Sequence, residues 1–172
     1  RQLLAGLEGK ELLDASLNSP KGTILALTHS GNWDMAGVFL VGYNGPFTTV
    51  AERVKPESLF RAFLDYRQAL GFKVIALTGG EQPPYEQLKQ ALEAGEVVCL
   101  LSERDLTRHG VEVDFFGEPC NMATGPARLA QETGAHLHAV HCFFHDDNDD
   151  ESGASVAGGS PRWGMTVSEP IE

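Results

Sequence analysis

Short, almost wholly apolar runs alternate with helix-forming stretches along this chain, and few folds accommodate that rhythm. Residues 23–28 (TILALT) read as a buried strand and 33–42 as the helix after it. A second strand at 48–51 is followed by Pro56, which opens a helix to about Leu70, since proline suits a first helical position. Residues 73–77 (KVIAL) and 96–101 (EVVCLL) are further strands, separated by a helix over 84–94. Near-continuous apolar character marks strands covered on both faces. A hairpin-like stretch at 111–116, a helix opened by Thr124-Gly125-Pro126, a strand at 136–144 and a closing strand at 163–167 complete the series. The expectation is an α/β fold: an open, mostly parallel sheet with helices on both faces.

At 172 residues the chain has the size of one domain, here 1–172. It starts at Arg1 rather than Met and stops soon after an expected strand, so it reads as a fragment of a longer protein. Its longest apolar run is about five residues, far short of the ~20 that span a bilayer. The stretch 146–160 is acidic, then Gly/Ser-rich, and reads as a solvated, mobile loop.

Thirteen basic residues against 24 acidic ones give a net charge of −11, which argues against nucleic acid as a partner. An anionic ligand must therefore be met by local positive groups. Cys99, Cys120 and Cys142 are odd in number and widely spaced, which fits neither a disulfide framework nor a zinc site.

In such sheets ligands bind beyond the carboxyl ends of the strands. His29, Glu52 and Glu103 each stand just past a strand, and a base with two carboxylates on one rim suggests catalysis. The competing reading is that strands simply run into polar loops. His29 also begins an H-x4-D pattern ending at Asp34. The pattern recurs at His109/Asp114, His141/Asp146 and His145/Asp150, but only His29 combines a strand end, a Gly31-Asn32 turn and an aspartate in the first turn of a helix. From there Asp34 can reach back to one imidazole nitrogen, leaving the other to take a proton. Asp34 as a plain helix-start residue is the alternative.

Arg67 falls on the stripe of Phe60, Phe63 and Leu64, where an unpaired guanidinium would be costly. Its expected partner is Glu103, Glu52 or the oxygen of a reacting carbonyl; otherwise it snorkels at the edge. Arg104, Arg108 and His109 form a small basic cluster suited to phosphate, as is the helix start at Thr124. In the histidine-rich run His136 to His145, strand alternation puts His136, His138 and Cys142 on one face and His141 and His145 on the other, so no metal site is expected. Neither Ser30 nor Ser102 sits in a G-x-S-x-G elbow, and Cys99 lies mid-strand, so no covalent nucleophile is expected.

Four blocks in order, H-S-G-N-W-D-M-A-G, V-A-E-R-V-K-P, S-E-R-D-L and D-F-F-G-E-P-C-N-M-A-T-G-P-A-R-L-A, resemble the bacterial lysophospholipid acyltransferase-like family. The resemblance is to the branch with the lipid A lauroyl and myristoyl acyltransferases, and within it to actinobacterial members that acylate phosphatidylinositol mannosides. It implies acyl-CoA as donor, typically palmitoyl-CoA, with no separate cofactor, and a mannose hydroxyl of a phosphatidylinositol mannoside as acceptor. It also implies peripheral association with the cytoplasmic face of the plasma membrane. The resemblance further implies a membrane-associating N-terminal segment, which is expected to lie outside the present sequence. His29 and Asp34 match the family's catalytic motif, Glu103 its essential glutamate, and Glu52 and Arg67 its polar active-site positions. A lipid A-type acceptor, a hydrolase using the same His/Asp pair on water, and a non-catalytic binding module are the alternatives.

Overall fold

The computed structural model describes residues 4–105, 110–144 and 163–172; Arg108, His109 and the stretch 146–160 lie outside the described residues. In chain order the elements are β1 (Leu4–Glu8), α1 (Lys10–Leu17), β2 (Thr23–Leu27), α2 (Trp33–Asn44), β3 (Thr48–Ala51), α3 (Glu57–Ala69), β4 (Lys73–Ala76), α4 (Pro84–Glu93), β5 (Val97–Leu101), β6 (Val111–Phe115), β7 (Glu118–Met122), α5 (Gly125–Thr133), β8 (His136–Phe144) and β9 (Trp163–Val167). Seven strands form one sheet in the order β1-β9-β8-β2-β5-β3-β4, and β6 and β7 pair separately. Every pairing in the large sheet is parallel except β8 with β9. This is the expected α/β architecture.

Alternation along the central strands sorts the core into two layers. Leu25, Leu27, Cys99 and Val140 point to one face and pack with Leu13 of α1 and with Ala36 and Leu40 of α2. Ile24, Val98, Leu100 and Leu137 point to the other and meet Leu88 and Leu92 of α4 and Leu129 of α5. Burying each leucine, isoleucine or valine of these layers contributes about 1.5–3 kcal/mol. Central strands covered on both faces need apolar residues at every position, which is why β2 and β5 read as unbroken apolar runs.

Among the buried polar side chains of the described residues, one histidine is built into this core. His138 on β8 is fully buried; its Nδ1 lies 2.7 Å from the Ser168 carbonyl oxygen and its Nε2 2.8 Å from Ser16 Oγ. A carbonyl only accepts, so Nδ1 carries the proton and the Ser16 hydroxyl donates to Nε2. The ring thereby ties α1 and the C-terminal segment to β8 with both nitrogens satisfied.

The structure departs from expectation in several places. Pro56 is the extended residue before α3 rather than its first turn. β1, α1 and β7 were not anticipated; in β7 the proline, opposite Asp114, sits in a two-stranded ribbon where a missing N–H is tolerated. Of the expected α3 stripe only Phe60 is buried, while Phe63 is 49% exposed. No helix among the described residues is long and apolar enough to cross a membrane.

Candidate functional site

The parallel register explains the central feature of the site. Leu27 of β2 is level with Leu101 of β5, and the ladder continues through the Ser102 N–H donating to the Leu27 carbonyl at 3.0 Å. His29 and Glu103 each follow two residues later, side by side. The chain leaves β2 towards α2 on one face, while the segments after β5 lead to α5 on the other. Adjacent strands whose connections diverge open a crevice between their carboxyl ends, the usual ligand position in open α/β sheets.

His29 Nδ1 is hydrogen-bonded to Glu103 Oε1. This corrects the expectation that Asp34 would orient the imidazole. A carboxylate can only accept, so Nδ1 carries the proton and Nε2 is the free, basic nitrogen. Burial pushes the Glu103 carboxyl up, but the hydrogen bond from His29, aided by neighbouring backbone N–H groups, outweighs it and holds the group below its ordinary value. Glu103 therefore stays ionised beside the ring.

Asp34 is engaged elsewhere. Its Oδ1 lies 3.4 Å from Arg67 Nη2, so the expected pairing of Arg67 with Glu103 or Glu52 is replaced by one with Asp34. The first turn of α2 is capped instead by Asn32, whose side chain accepts from the Met35 N–H at 3.1 Å. Trp33 joins the two halves: its ring meets His29 edge-on at 5.8 Å and carries the Arg67 guanidinium 5.1 Å from its centroid. Trp33 was not singled out from the sequence, although it lies inside the H-S-G-N-W-D block.

The turn bearing His29 is held from behind. Ser30 Oγ contacts Thr28 Oγ1 at 2.7 Å and His141 Nδ1 at 3.3 Å, and does not engage His29. Gly31 has φ of +52° and lies against β8, where an added Cβ would come within 2.5 Å of the Cys142 backbone. Cys99 is buried and burial pushes its thiol up; the same cause raises Cys142 to about 11. Neither suits a nucleophile.

Two clefts flank the crevice. One, of about 310 Å³ on the α2–α3 side, is lined by His29, Trp33, Glu52, Arg67 and Arg104, with Phe60, Phe63 and Leu64 of α3 as apolar wall. The α3 stripe thus faces this cleft more than the core. The other, of about 450 Å³ on the α4–α5 side, is lined by Thr124, Arg104 and Arg128 among apolar residues. Of the expected site residues, the structure brings His29, Glu52, Arg67 and Arg104 to one cleft, with Glu103 bonded to His29 and Asp34 to Arg67. Thr124 lies in the other cleft. A histidine with a free Nε2, a bound carboxylate and a guanidinium at a cleft mouth can remove a proton from a hydroxyl or water and stabilise developing negative charge.

Comparison with known proteins finds relatives over most of the chain. A family model described as bacterial lipid A biosynthesis acyltransferase matches residues 2–157. A phosphatidylinositol mannoside acyltransferase of Mycobacterium tuberculosis (strain ATCC 25618 / H37Rv) is 60% identical over 144 residues, covering 84% of this chain and 46% of that protein. A phosphatidylinositol mannoside acyltransferase of Mycolicibacterium smegmatis (strain ATCC 700084 / mc(2)155) is 61% identical over 153 residues, covering 89% of this chain and 46% of its own length. The chain therefore spans about half the length of these curated relatives.

Proposed function

The chain belongs to the bacterial lipid A biosynthesis acyltransferase family, and on that premise we propose that it transfers a fatty acyl group, palmitoyl in the first instance, from acyl-CoA to a mannose hydroxyl of a phosphatidylinositol mannoside. The observation that carries this reading is the His29–Glu103 pair at the crevice between β2 and β5. The names of the two mycobacterial relatives support the acceptor. Because that acceptor is a lipid, the reaction belongs at a membrane surface, on the cytoplasmic side where acyl-CoA is made.

In the proposed mechanism His29 Nε2 takes the proton of the sugar hydroxyl as its oxygen attacks the thioester carbonyl. Glu103 holds the tautomer and stabilises the imidazolium, the role a buried aspartate plays in a serine-protease triad. Arg67, held by Asp34 and Trp33, stabilises the oxyanion. The tetrahedral intermediate collapses with release of the CoA sulfur, which receives the proton from His29. Glu52, on the same cleft wall, positions the sugar. No acyl-enzyme forms, and no metal or further cofactor takes part.

Incubation of the protein with palmitoyl-CoA, with and without a mannosylated phosphatidylinositol, tests the reading. Acyl transfer that depends on the acceptor supports it. CoA release indifferent to acceptor would instead identify a thioesterase, and binding without turnover a non-catalytic module.

A further inference from the structure

The larger cleft, on the α4–α5 side, has no part in the chemistry above. At about 450 Å³ it exceeds the 310 Å³ cleft that holds His29, and both are of ligand-pocket size. The two meet over the carboxyl ends of the strands, sharing Val50, Leu77, Leu101 and Arg104. The wall of the larger cleft is mostly apolar, with Leu88, Leu100 and Leu129 at its base.

Its cations stand out in a chain of net charge −11. Arg104 is 62% exposed, with its Nε 3.4 Å from Glu103; Arg128 is 61% exposed, with its Nη2 3.6 Å from Glu132 and its guanidinium 5.1 Å from the Tyr85 ring centroid. Ion pairs this long and this solvated hold an arginine weakly. Most of their N–H donors therefore remain open to a ligand. Asp105 also lines the cleft, but its Oδ2 accepts from the Gly110 N–H at 2.7 Å.

Apolar wall directly beside guanidinium selects a ligand whose hydrocarbon and anion are adjacent. In acyl-CoA they are not, because the whole pantetheine arm separates the acyl chain from the phosphates. In a glycerophospholipid the ester-linked chains and the phosphodiester share one glycerol. We infer that this cleft binds the phosphatidyl end of the acceptor lipid. Its phosphodiester pairs with Arg104 and Arg128, and the glycerol ester and the start of one acyl chain lie against the leucines. The headgroup then crosses the shared edge at Arg104 towards His29, so donor and acceptor approach the crevice from opposite faces of the sheet. The inference rests on the acyl-transfer reading for the headgroup's destination, whereas binding of the phosphatidyl end is measurable without turnover.

The test is calorimetric titration with monomeric lysophosphatidylinositol, which carries chain, glycerol and phosphodiester but no mannose. Two variants serve: Arg104→Gln with Arg128→Gln, and Gly125→Phe, which adds bulk at a cleft-lining glycine where a new Cβ meets no atom within 4 Å and whose fold is checked by circular dichroism. Loss of the charge-assisted contacts should weaken lysophosphatidylinositol binding at least about tenfold in the arginine variant. That variant should leave monoacylglycerol, which lacks the phosphate, unaffected, while Gly125→Phe weakens both. Arg104 also lines the His29 cleft, so the donor is tested on Arg128→Gln alone and on Gly125→Phe, neither of which should change palmitoyl-CoA affinity. A fall in palmitoyl-CoA affinity in either of these would assign the cleft to the donor and overturn the inference, as would unchanged lysophosphatidylinositol binding in both the double arginine variant and Gly125→Phe. Failure of transfer to any acceptor, with lysophosphatidylinositol binding intact and variant-sensitive, would instead sink the proposed reaction alone.

Discussion

His29 and Glu103 lie 74 positions apart in the chain and share a hydrogen bond because β2 and β5 are neighbours in register. His29→Ala removes the proposed base, and a positioned base contributes on the order of 10²–10⁴ in rate. Glu103→Gln keeps the shape but can turn an amide donor towards Nδ1, favouring the tautomer whose proton sits on Nε2. Both should lose turnover by that order while retaining the wild-type circular dichroism spectrum. Asp34→Asn, which touches Arg67 rather than the imidazole, should cost less than Glu103→Gln. Equal losses in steady-state kcat would return Asp34 to the imidazole.

The same pair gives a pH dependence with a definite sign. The Glu103 carboxyl is held below its ordinary value in the folded protein. Its contribution to stability is therefore present above the unfolded-state value and is lost as pH falls through the depressed folded-state value. Urea denaturation at a series of pH values between about 3 and 5 should show wild type losing more stability on acidification than Glu103→Gln. Parallel curves would mean that the hydrogen bond does not bias the carboxyl.

Much of this arrangement is legible in the residues, and the reason is geometric. Parallel strands buried on both faces demand near-continuous apolar runs, so β2 and β5 fall within one residue of the bounds that TILALT and EVVCLL indicate. Chains leave such strands at one rim, so His29, Glu52 and Glu103 can be grouped there from the sequence alone. Their partners cannot be assigned that way. Which carboxylate reaches His29 depends on β5 inserting between β2 and β3, an ordering that no local pattern encodes. Nor does helical periodicity distinguish a face turned to the core from one turned to a cleft, which is why Phe63 reads as buried and is not. Proline in β7 hides a strand for the same kind of reason: the rule against it holds for sheet interiors, and β7 belongs to a two-stranded ribbon.

Arg67 is held by a carboxylate at 3.4 Å and by the face of Trp33. Asp34 is 48% exposed, so the ion pair should contribute no more than about 1 kcal/mol. The stacking adds roughly 0.5–1 kcal/mol at such a site and favours the planar guanidinium. Arg67→Lys should thus lower both stability and turnover despite keeping the charge. A double-mutant cycle in chemical denaturation should show Arg67 coupled to Trp33 and Asp34 and nearly additive with Glu103. Strong coupling to Glu103 would mean that the guanidinium spends its time at the other carboxylate.

Direct transfer excludes a serine ester on this turn. Ser30 Oγ is hydrogen-bonded to Thr28 Oγ1 and His141 Nδ1. Ser30→Ala should retain most of the turnover, and initial-rate patterns with both substrates varied should intersect rather than run parallel. A labelled acyl-enzyme trapped in the absence of acceptor would overturn the mechanism.

Gly31 sets how accurately the turn presents His29. Its φ of +52° is a conformation that costs an L side chain about 1–2 kcal/mol. An alanine Cβ would also lie 2.5 Å from the carbonyl carbon and oxygen of Cys142 and 2.6 Å from the Phe143 nitrogen. Those atoms are backbone of β8, a strand paired on both sides, and cannot yield as a flexible side chain would. The turn must therefore lift away, carrying His29 from Glu103. A displacement of about 1 Å at a reacting centre can cost roughly 10²-fold in rate. Gly31→Ala should then lose more in turnover than its change in urea midpoint accounts for. Gly42, inside α2, is the control, because a Cβ added there would meet no atom within 4 Å. Gly42→Ala should be neutral or stabilise by roughly 0.5–1 kcal/mol. Wild-type stability and full turnover in Gly31→Ala would show that the contact with β8 does not position the base.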